Sequence, residues 1–246
     1  MDAAVGDEAP VAIVTGATGG IGAALAREFD RRGYRLLVHG FGDEATGQRL
    51  ASSLRCAVYH DCDVSDPAAA ESLVAACLDA FARLDVLINN AAVGIPVRHG
   101  DLRAVTPEFF TTMLGINVLG PWHLIRAAEG ALRESRGTVV NVSSIAGSTV
   151  SGSSIPYAVS KAALDHLTRL LAVALGPAVR VNAVAPGYVE TERTRGWSEV
   201  REQVRSQAPL GRLGQPDDVV AACFALLASP YTTGAVMPVD GGLGLV

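Results

Sequence analysis

The sequence predicts an α/β fold: one domain over residues 1–246, built on a doubly wound, seven-stranded parallel sheet with helices on both faces. Three observations carry that prediction. Short β-branched runs alternate with longer helical patterns from end to end. Most of the runs are apolar on successive residues, as strands buried on both faces require. Apolar residues make up 49% of the chain and aromatics only 5%, so the interior must be built largely from Ala, Val and Leu.

The first strand spans residues 11–15, and a glycine-rich turn leads from it into a helix over 20–32. A second strand at 35–39 precedes a helix at 43–54, and a third at 56–60 precedes a helix at 67–83. Asp66 followed by Pro67 is a start signal, an N-cap with proline at the first helical position. A fourth strand at 85–89 leads to a long helix over 106–134, opened the same way by Thr106 and Pro107. The fifth strand, 138–142, precedes a helix at 154–175, and the sixth spans 179–184. Residues 188–209 are expected to form a mobile lid carrying Trp197, with a helix at 215–228 and a strand at 235–239 beyond them. Residues 1–10 are expected to be flexible. Strands joined through helices imply right-handed crossovers, and ligands of such sheets sit at the carboxyl ends of the strands. Chemistry is therefore expected just after each strand.

Composition excludes several functions. A net charge of −5 speaks against a nucleic-acid partner, because binding phosphates needs a basic face. The four cysteines, Cys56, Cys62, Cys77 and Cys223, lack metal-ligand spacing, so no metal site is expected. The start of the chain has no cationic or apolar leader pattern, and the uncharged stretch 219–239 is broken by Ser229, Pro230 and Gly234. A cytoplasmic protein without a membrane partner is expected.

After the first strand the chain reads Thr15-Gly16-Ala17-Thr18-Gly19-Gly20-Ile21-Gly22 and enters a helix. Glycines let the backbone approach a pyrophosphate, which the free N–H groups and dipole of the helix start stabilise. Thr18 stands at the second glycine of the common dinucleotide fingerprint, so the pattern is TGxxxGxG. Asp63-Val64 follows the third strand, where a carboxylate could accept from an adenine amino group, and Asn89-Asn90-Ala91-Ala92 follows the fourth, where small residues allow approach to a ribose. The second strand ends in His39-Gly40-Phe41, with no carboxylate where NAD-binding folds place one on the ribose 2′-hydroxyl. That gap leaves room for a 2′-phosphate, although no Arg or Lys stands ready to hold it. The expectation is NADP(H) over NAD(H).

Tyr157-Ala158-Val159-Ser160-Lys161 lies on the helix after the fifth strand. Residues four apart share a helix face, so the ammonium can stabilise the phenolate and make Tyr157 a usable general acid and base. Ser144 ends the fifth strand, where its hydroxyl could hold a substrate oxygen. Asn117 lies inside the long predicted helix, where Asn is unfavourable, and reads either as a satisfied buried amide or as a water-holding group in a proton path.

Together TGATGGIG, Asp63-Val64, NNAA, Asn117, Ser144, Tyr157, Lys161 and Pro186-Gly187 resemble the short-chain dehydrogenase/reductase family, whose fold is Rossmann-type. The resemblance runs from about Val11 to Gly242. It implies a tetrad in which Ser144 orients the substrate oxygen and Tyr157 exchanges the proton. By the same resemblance Lys161 holds the nicotinamide ribose and tunes Tyr157, Asn117 supports a water relay, and Val189 and Thr191 contact the nicotinamide carboxamide. Ala92 departs from the family's usual glycine.

Residues 209–214 and 239–242 resemble the branch containing β-ketoacyl-carrier-protein reductases, which implies a carbonyl or alcohol substrate, carrier-bound in some members. Sugar, polyol and other secondary-alcohol dehydrogenases are the alternative, and a dinucleotide-binding regulator or scaffold is the non-enzymatic one. The family also implies a homotetramer packed through residues 106–134 and 154–175, although Trp122 and Leu132 could equally belong to the subunit core.

Overall fold

Four valine, alanine and isoleucine residues with no solvent contact form an interior strand, β1 (Val11–Val14). The computed structural model describes residues 6–194, 196 and 198–246, so Trp197 and the first half of the segment expected to be flexible lie outside the described residues. Beyond that segment's first half, the carbonyls of Glu8 and Ala9 accept from Arg83 and Arg35.

Around β1 the chain winds in order through α1 (Gly20–Arg31), β2 (Arg35–Gly40), α2 (Glu44–Ser53), β3 (Ala57–Asp61), α3 (Pro67–Phe81) and β4 (Val86–Asn89). The second half continues with α4 (Pro107–Leu114), α5 (Gly120–Ser135), β5 (Thr138–Val142), α6 (Ile155–Leu175), β6 (Arg180–Pro186), α7 (Ser198–Gln207), α8 (Pro216–Leu227) and β7 (Val236–Val239). All seven strands are parallel, in the order β3-β2-β1-β4-β5-β6-β7. This is the predicted Rossmann-type sheet. The winding reverses between β1 and β4, and crevices open at the carboxyl ends beside such a reversal.

Each strand sends alternate residues to opposite faces. Ile13, Leu37, Leu87, Val139 and Val181 pack against α3, α5 and α6 on one face. Val14, Val38, Ile88, Val140 and Val184 pack against α1 and α8 on the other. The caps behave as their chemistry requires: Asp66 accepts from Ala68 N–H at the start of α3, and Thr106 from Phe109 N–H at the start of α4.

Two expectations need correction. Residues 106–134 are not one helix, because a π-helical turn over Gly115–Leu119 separates α4 from α5. There the Gly120 N–H donates to the Gly115 carbonyl, five residues back, and Pro121 has no N–H to offer the Asn117 carbonyl. Residues 198–207, for which no helix was expected, form α7. Arg201 of α7 pairs with Glu190, which also accepts from Gln215. No helix among the described residues is long and apolar enough to cross a membrane.

Candidate active site

The turn between β1 and α1 is held from three sides. Gly16 sits at φ +62°, and a Cβ there would lie 2.9 Å from the Ala91 Cα. A Cβ on Gly22 would lie 2.1 Å from the Gly16 carbonyl oxygen, so the first turn of α1 closes on the glycine loop only without a side chain at that position. The Ala17 N–H donates to the His39 carbonyl at 2.7 Å. Thr15 Oγ1 accepts from the N–H groups of Asn90 and Ala91, and Asn90 Nδ2 donates back to the carbonyls of Thr15 and Gly16. The Asn90 amide is therefore a brace for the turn. Gly19 precedes α1 in extended backbone, and Gly20 and Ile21 open the helix, leaving its first N–H groups to face an anion. Thr18 lies against Gly40 across the gap to β2.

The other expected cofactor residues fall on the same sheet edge. Gly40 ends β2, and Phe41 follows it, 68% exposed. Asp63 Oδ1 accepts from the N–H and hydroxyl of Ser65, which fixes the carboxylate in a turn before α3. Val64 is buried, packed on Gly120. Pro186 ends β6, and Val189 pairs with Gly214 in an isolated bridge. The Thr191 side chain comes within 3.1 Å of where a Gly20 Cβ would stand, so the segment after β6 reaches the glycine turn.

At the end of β5, Ser144 Oγ accepts from the Ala146 N–H and reaches the Pro186 carbonyl at 3.4 Å. Ser154 caps α6 by accepting from the Tyr157 N–H. One turn on, Lys161 is 2% exposed, and its Nζ donates to the Val142 carbonyl at 2.9 Å. The same nitrogen lies 5.7 Å from the centre of the Tyr157 ring. Phenol and ammonium thus share one end of the cavity, as the i, i+4 spacing predicts.

Asn117 is fully buried in the π turn. Its Oδ1 accepts from Val93 N–H, and its Nδ2 donates to the Val93 carbonyl and to Ser160 Oγ. Ser160 in turn donates to the Tyr157 carbonyl at 2.7 Å. Of the two readings of Asn117, this geometry displays the satisfied amide, one that ties the loop after β4 to the helix bearing Tyr157.

A cavity of about 1050 Å³ opens at the carboxyl ends of β4, β5 and β6. It gathers Ile21, Asn90, Ser144, Tyr157, Lys161, Pro186, Gly187, Val189 and Thr191 of the expected site. Asn117 and Val64 are packed away from it, and Gly40 lies at the β2–β3 edge. The glycine cradle and this cavity together fit an extended dinucleotide whose reactive end reaches Tyr157.

Several contributors carry no motif in the sequence. The far wall is formed by Gly94, Val97, His99, Val150, Ser153 and Val204, from loops and α7 that no strand–helix pattern marks. His39 is 2% exposed; its Nδ1 accepts from the Gly16 N–H, and its other nitrogen donates to the Cys62 carbonyl. Burial holds its basicity below that of an ordinary histidine. Ser160 was visible inside the Tyr157–Lys161 motif, but its spacing alone did not reveal the bond to Asn117.

A doubly wound parallel sheet with a phosphate-accepting glycine turn and a Tyr–Lys pair at one cleft defines a nicotinamide-dependent oxidoreductase. A family model described as enoyl-(acyl carrier protein) reductase matches residues 16–244. The protein named as ketoacyl reductase 2 of the granaticin polyketide synthase of Streptomyces violaceoruber is 47% identical over 243 residues, covering 97% of this chain and 98% of that one. An L-rhamnose 1-dehydrogenase (NAD(P)(+)) of Azotobacter vinelandii is 38% identical over 247 residues, covering 94% and 95%. The crystal structure of a 3-ketoacyl-(acyl-carrier-protein) reductase from Brucella melitensis complexed with NADH superposes with a TM-score of 0.87 at 30% identity, covering 97% of this chain and 100% of that one. The chain belongs to the short-chain dehydrogenase/reductase family and is an oxidoreductase of the NAD(P)(H)-binding kind.

Proposed function

We propose that the protein is a ketoreductase of β-ketoacyl-reductase type, reducing a ketone to a secondary alcohol in the cavity above Tyr157. The observation that carries this reading is the convergence of Ser144, Tyr157 and Lys161 on one cavity that also reaches the glycine turn. When bound, the dinucleotide supplies or accepts the hydride. Gly16, Ala17, Thr18, Gly19, Gly20, Ile21 and Gly22 would hold its pyrophosphate, while Gly40, Phe41, Asp63 and Val64 would border its adenosine end. Asn90, Ala91, Pro186, Gly187, Val189 and Thr191 would border its nicotinamide half.

The chain's own residues then have distinct tasks. Ser144 donates its hydroxyl hydrogen to the substrate oxygen and keeps that atom beside Tyr157. Tyr157 gives its phenolic proton to the oxygen during reduction and recovers it in the reverse direction. Lys161, fixed by the Val142 carbonyl, keeps a positive charge beside the phenol and would also bind the nicotinamide ribose. Asn117 holds Val93 and Ser160 in place and, through its π turn, would support a water path to Lys161. Residues 188–209, including α7, would cover the substrate and exclude water. The granaticin relative's name and the volume of the cavity support a ketoacyl substrate, free or carrier-bound.

A second reading has its own observation. Ser153 Oγ and His99 Nε2 are buried at the cavity wall without a hydrogen-bond partner, and such atoms suit the hydroxyls of a sugar or polyol. A panel of β-ketoesters, ketoacyl thioesters, sugars and secondary alcohols, followed by reduced-nicotinamide absorbance, separates the two. In either case Tyr157→Phe is expected to lower turnover by about 10²–10⁴-fold while cofactor binding survives. Full activity in that variant would overturn the proton assignment.

Exposed Leu119 of the π turn and Trp122 of α5, with Val159, Leu170 and Val173 of α6, support assembly into a homotetramer through these helices. Leu132 belongs instead to the subunit core. Light scattering that gave a monomer at micromolar concentration would exclude this assembly. A cytoplasmic location agrees with the free thiols of all four cysteines.

A further inference from the structure

The carboxyl end of β2 lacks the acid that usually meets the adenosine ribose, yet the space is not vacant. Gly40 pairs with Asp61 of β3, and Val38 with Tyr59, so these four residues face one side of the sheet. A Cβ on Gly40 would lie 2.8 Å from Tyr59 Oη and 2.6 Å from Thr18 Cγ2 of the glycine turn. The Tyr59 hydroxyl thus stands between the end of β2 and the phosphate-binding loop. Its ring is seated on Gly47, where a Cβ would come within 2.0 Å. The hydroxyl donates to Asp61 Oδ2 at 2.7 Å, and the Gly42 N–H approaches both carboxylate oxygens at 3.1 and 3.3 Å. The Tyr59 hydrogen bond is the main reason the Asp61 carboxyl stays below the usual carboxylate range.

We infer that Tyr59 and Asp61 of β3 take over the cofactor-selecting role that β2 leaves open at Gly40, and that the protein binds NAD(H) in preference to NADP(H). This rests on the dinucleotide reading of the cleft and reverses the preference suggested by the missing acid alone. An ionised carboxylate with acceptor capacity to spare takes a hydrogen bond from a ribose 2′-hydroxyl. A 2′-phosphate brings about two negative charges to the same place and needs a guanidinium or ammonium to hold it. The adjoining crevice, about 510 Å³, is lined by Gly42, Glu44, Gln48, Tyr59, His60 and Asp61. That lining holds two carboxylates and no lysine or arginine.

Calorimetric titration of the full chain with NADH and with NADPH tests the assignment without any substrate. Repulsion of this order corresponds to about tenfold tighter NADH binding. Asp61→Asn keeps the shape and removes the charge, so it should weaken NADH, tighten NADPH and bring their ratio toward one. Tyr59→Phe keeps the ring on Gly47 and the Asp61 charge but removes the hydroxyl that fixes the carboxylate, so NADH should weaken and the same ratio shrink, which covers a failure of the first variant to fold. Equal or tighter NADPH binding by the wild type would overturn the inference. So would a ratio unmoved in both variants. Either result leaves the ketoreductase reading standing, provided Tyr157→Phe still lowers turnover by the expected factor. Failure of both dinucleotides to bind would overturn both.

Discussion

His39 Nδ1 accepts a hydrogen bond from the Gly16 N–H at 3.2 Å, so a buried histidine of β2 holds the phosphate turn after β1. The bond exists only while Nδ1 is unprotonated, and Nε2 carries its hydrogen to the Cys62 carbonyl. Burial, the largest cause, holds the folded imidazole below its ordinary value of 6.5. The unfolded chain therefore takes up the proton first, and stability is lost as pH falls through the ordinary histidine range toward the folded value. Protonation would also turn the acceptor facing Gly16 into a donor. Dinucleotide affinity should weaken as pH falls below the ordinary histidine value of 6.5 toward the lowered folded one, and His39→Gln should flatten that dependence. Fluorescence titration of the reduced cofactor across this range measures it, and a parallel slope in the variant would show that another group is responsible.

The two glycines flanking the start of α1 should respond oppositely to alanine. At Gly22 the added Cβ meets the Gly16 carbonyl at 2.1 Å, a backbone atom that cannot yield without opening the turn. Gly19 has nothing within 4 Å of that position, and its φ of −169° suits any residue. Gly22→Ala is expected to lower the melting temperature and abolish dinucleotide binding, whereas Gly19→Ala should melt like the parent. Equal melting temperatures for the two variants would remove the steric account of the motif.

The same contrast explains what the sequence could disclose. Strands were legible because burial on both faces leaves an apolar run, unbroken in Val11–Val14 and interrupted by Asn141 alone after Val139 and Val140 in β5. The pair Tyr157 and Lys161 was legible because helical spacing alone brings them together. The π turn was not, since one extra residue between Leu114 and Gly120 barely disturbs an apolar period. Helix α7, SEVREQVRSQ, has too few apolar residues to mark a buried face. Tyr59 and Asp61 were hidden for a different reason: their relation to Gly40 is a cross-strand register, which no local pattern records.

Asn117 is fully buried and makes three hydrogen bonds, two to the Val93 backbone and one to Ser160 Oγ. Asn117→Ala would leave the Val93 amide without its side-chain partners and free Ser160 Oγ, at a cost of about 1–3 kcal/mol for each buried group left unpaired. Urea denaturation should show that loss. Because Ser160 bonds the Tyr157 carbonyl, turnover should fall as well, with a smaller change in cofactor affinity. Unchanged stability would mean that water satisfies the site. In that case the brace between the β4 loop and α6 would carry no weight.

Asp165 stands one turn beyond Lys161 on α6, 5% exposed, with its Oδ1 lacking a partner. Burial, the largest cause, raises its folded value above the ordinary 3.8, against opposing hydrogen bonding from Ser143 and the charges of Arg169 and Lys161. A raised carboxyl value means the folded chain keeps its proton longer than the unfolded one. Stability is then fully present below the ordinary value and falls as pH rises through the folded value. Asp165→Asn cannot ionise, so the wild type should lose stability relative to this variant as pH rises above the ordinary carboxylate value of 3.8 and through the raised folded one. Denaturation of both proteins at several pH values gives the difference directly. A difference that stays flat, or grows in favour of the wild type as pH rises, would show that Lys161 and Arg169 outweigh burial and that Asp165 belongs to the charge network stabilising the catalytic lysine.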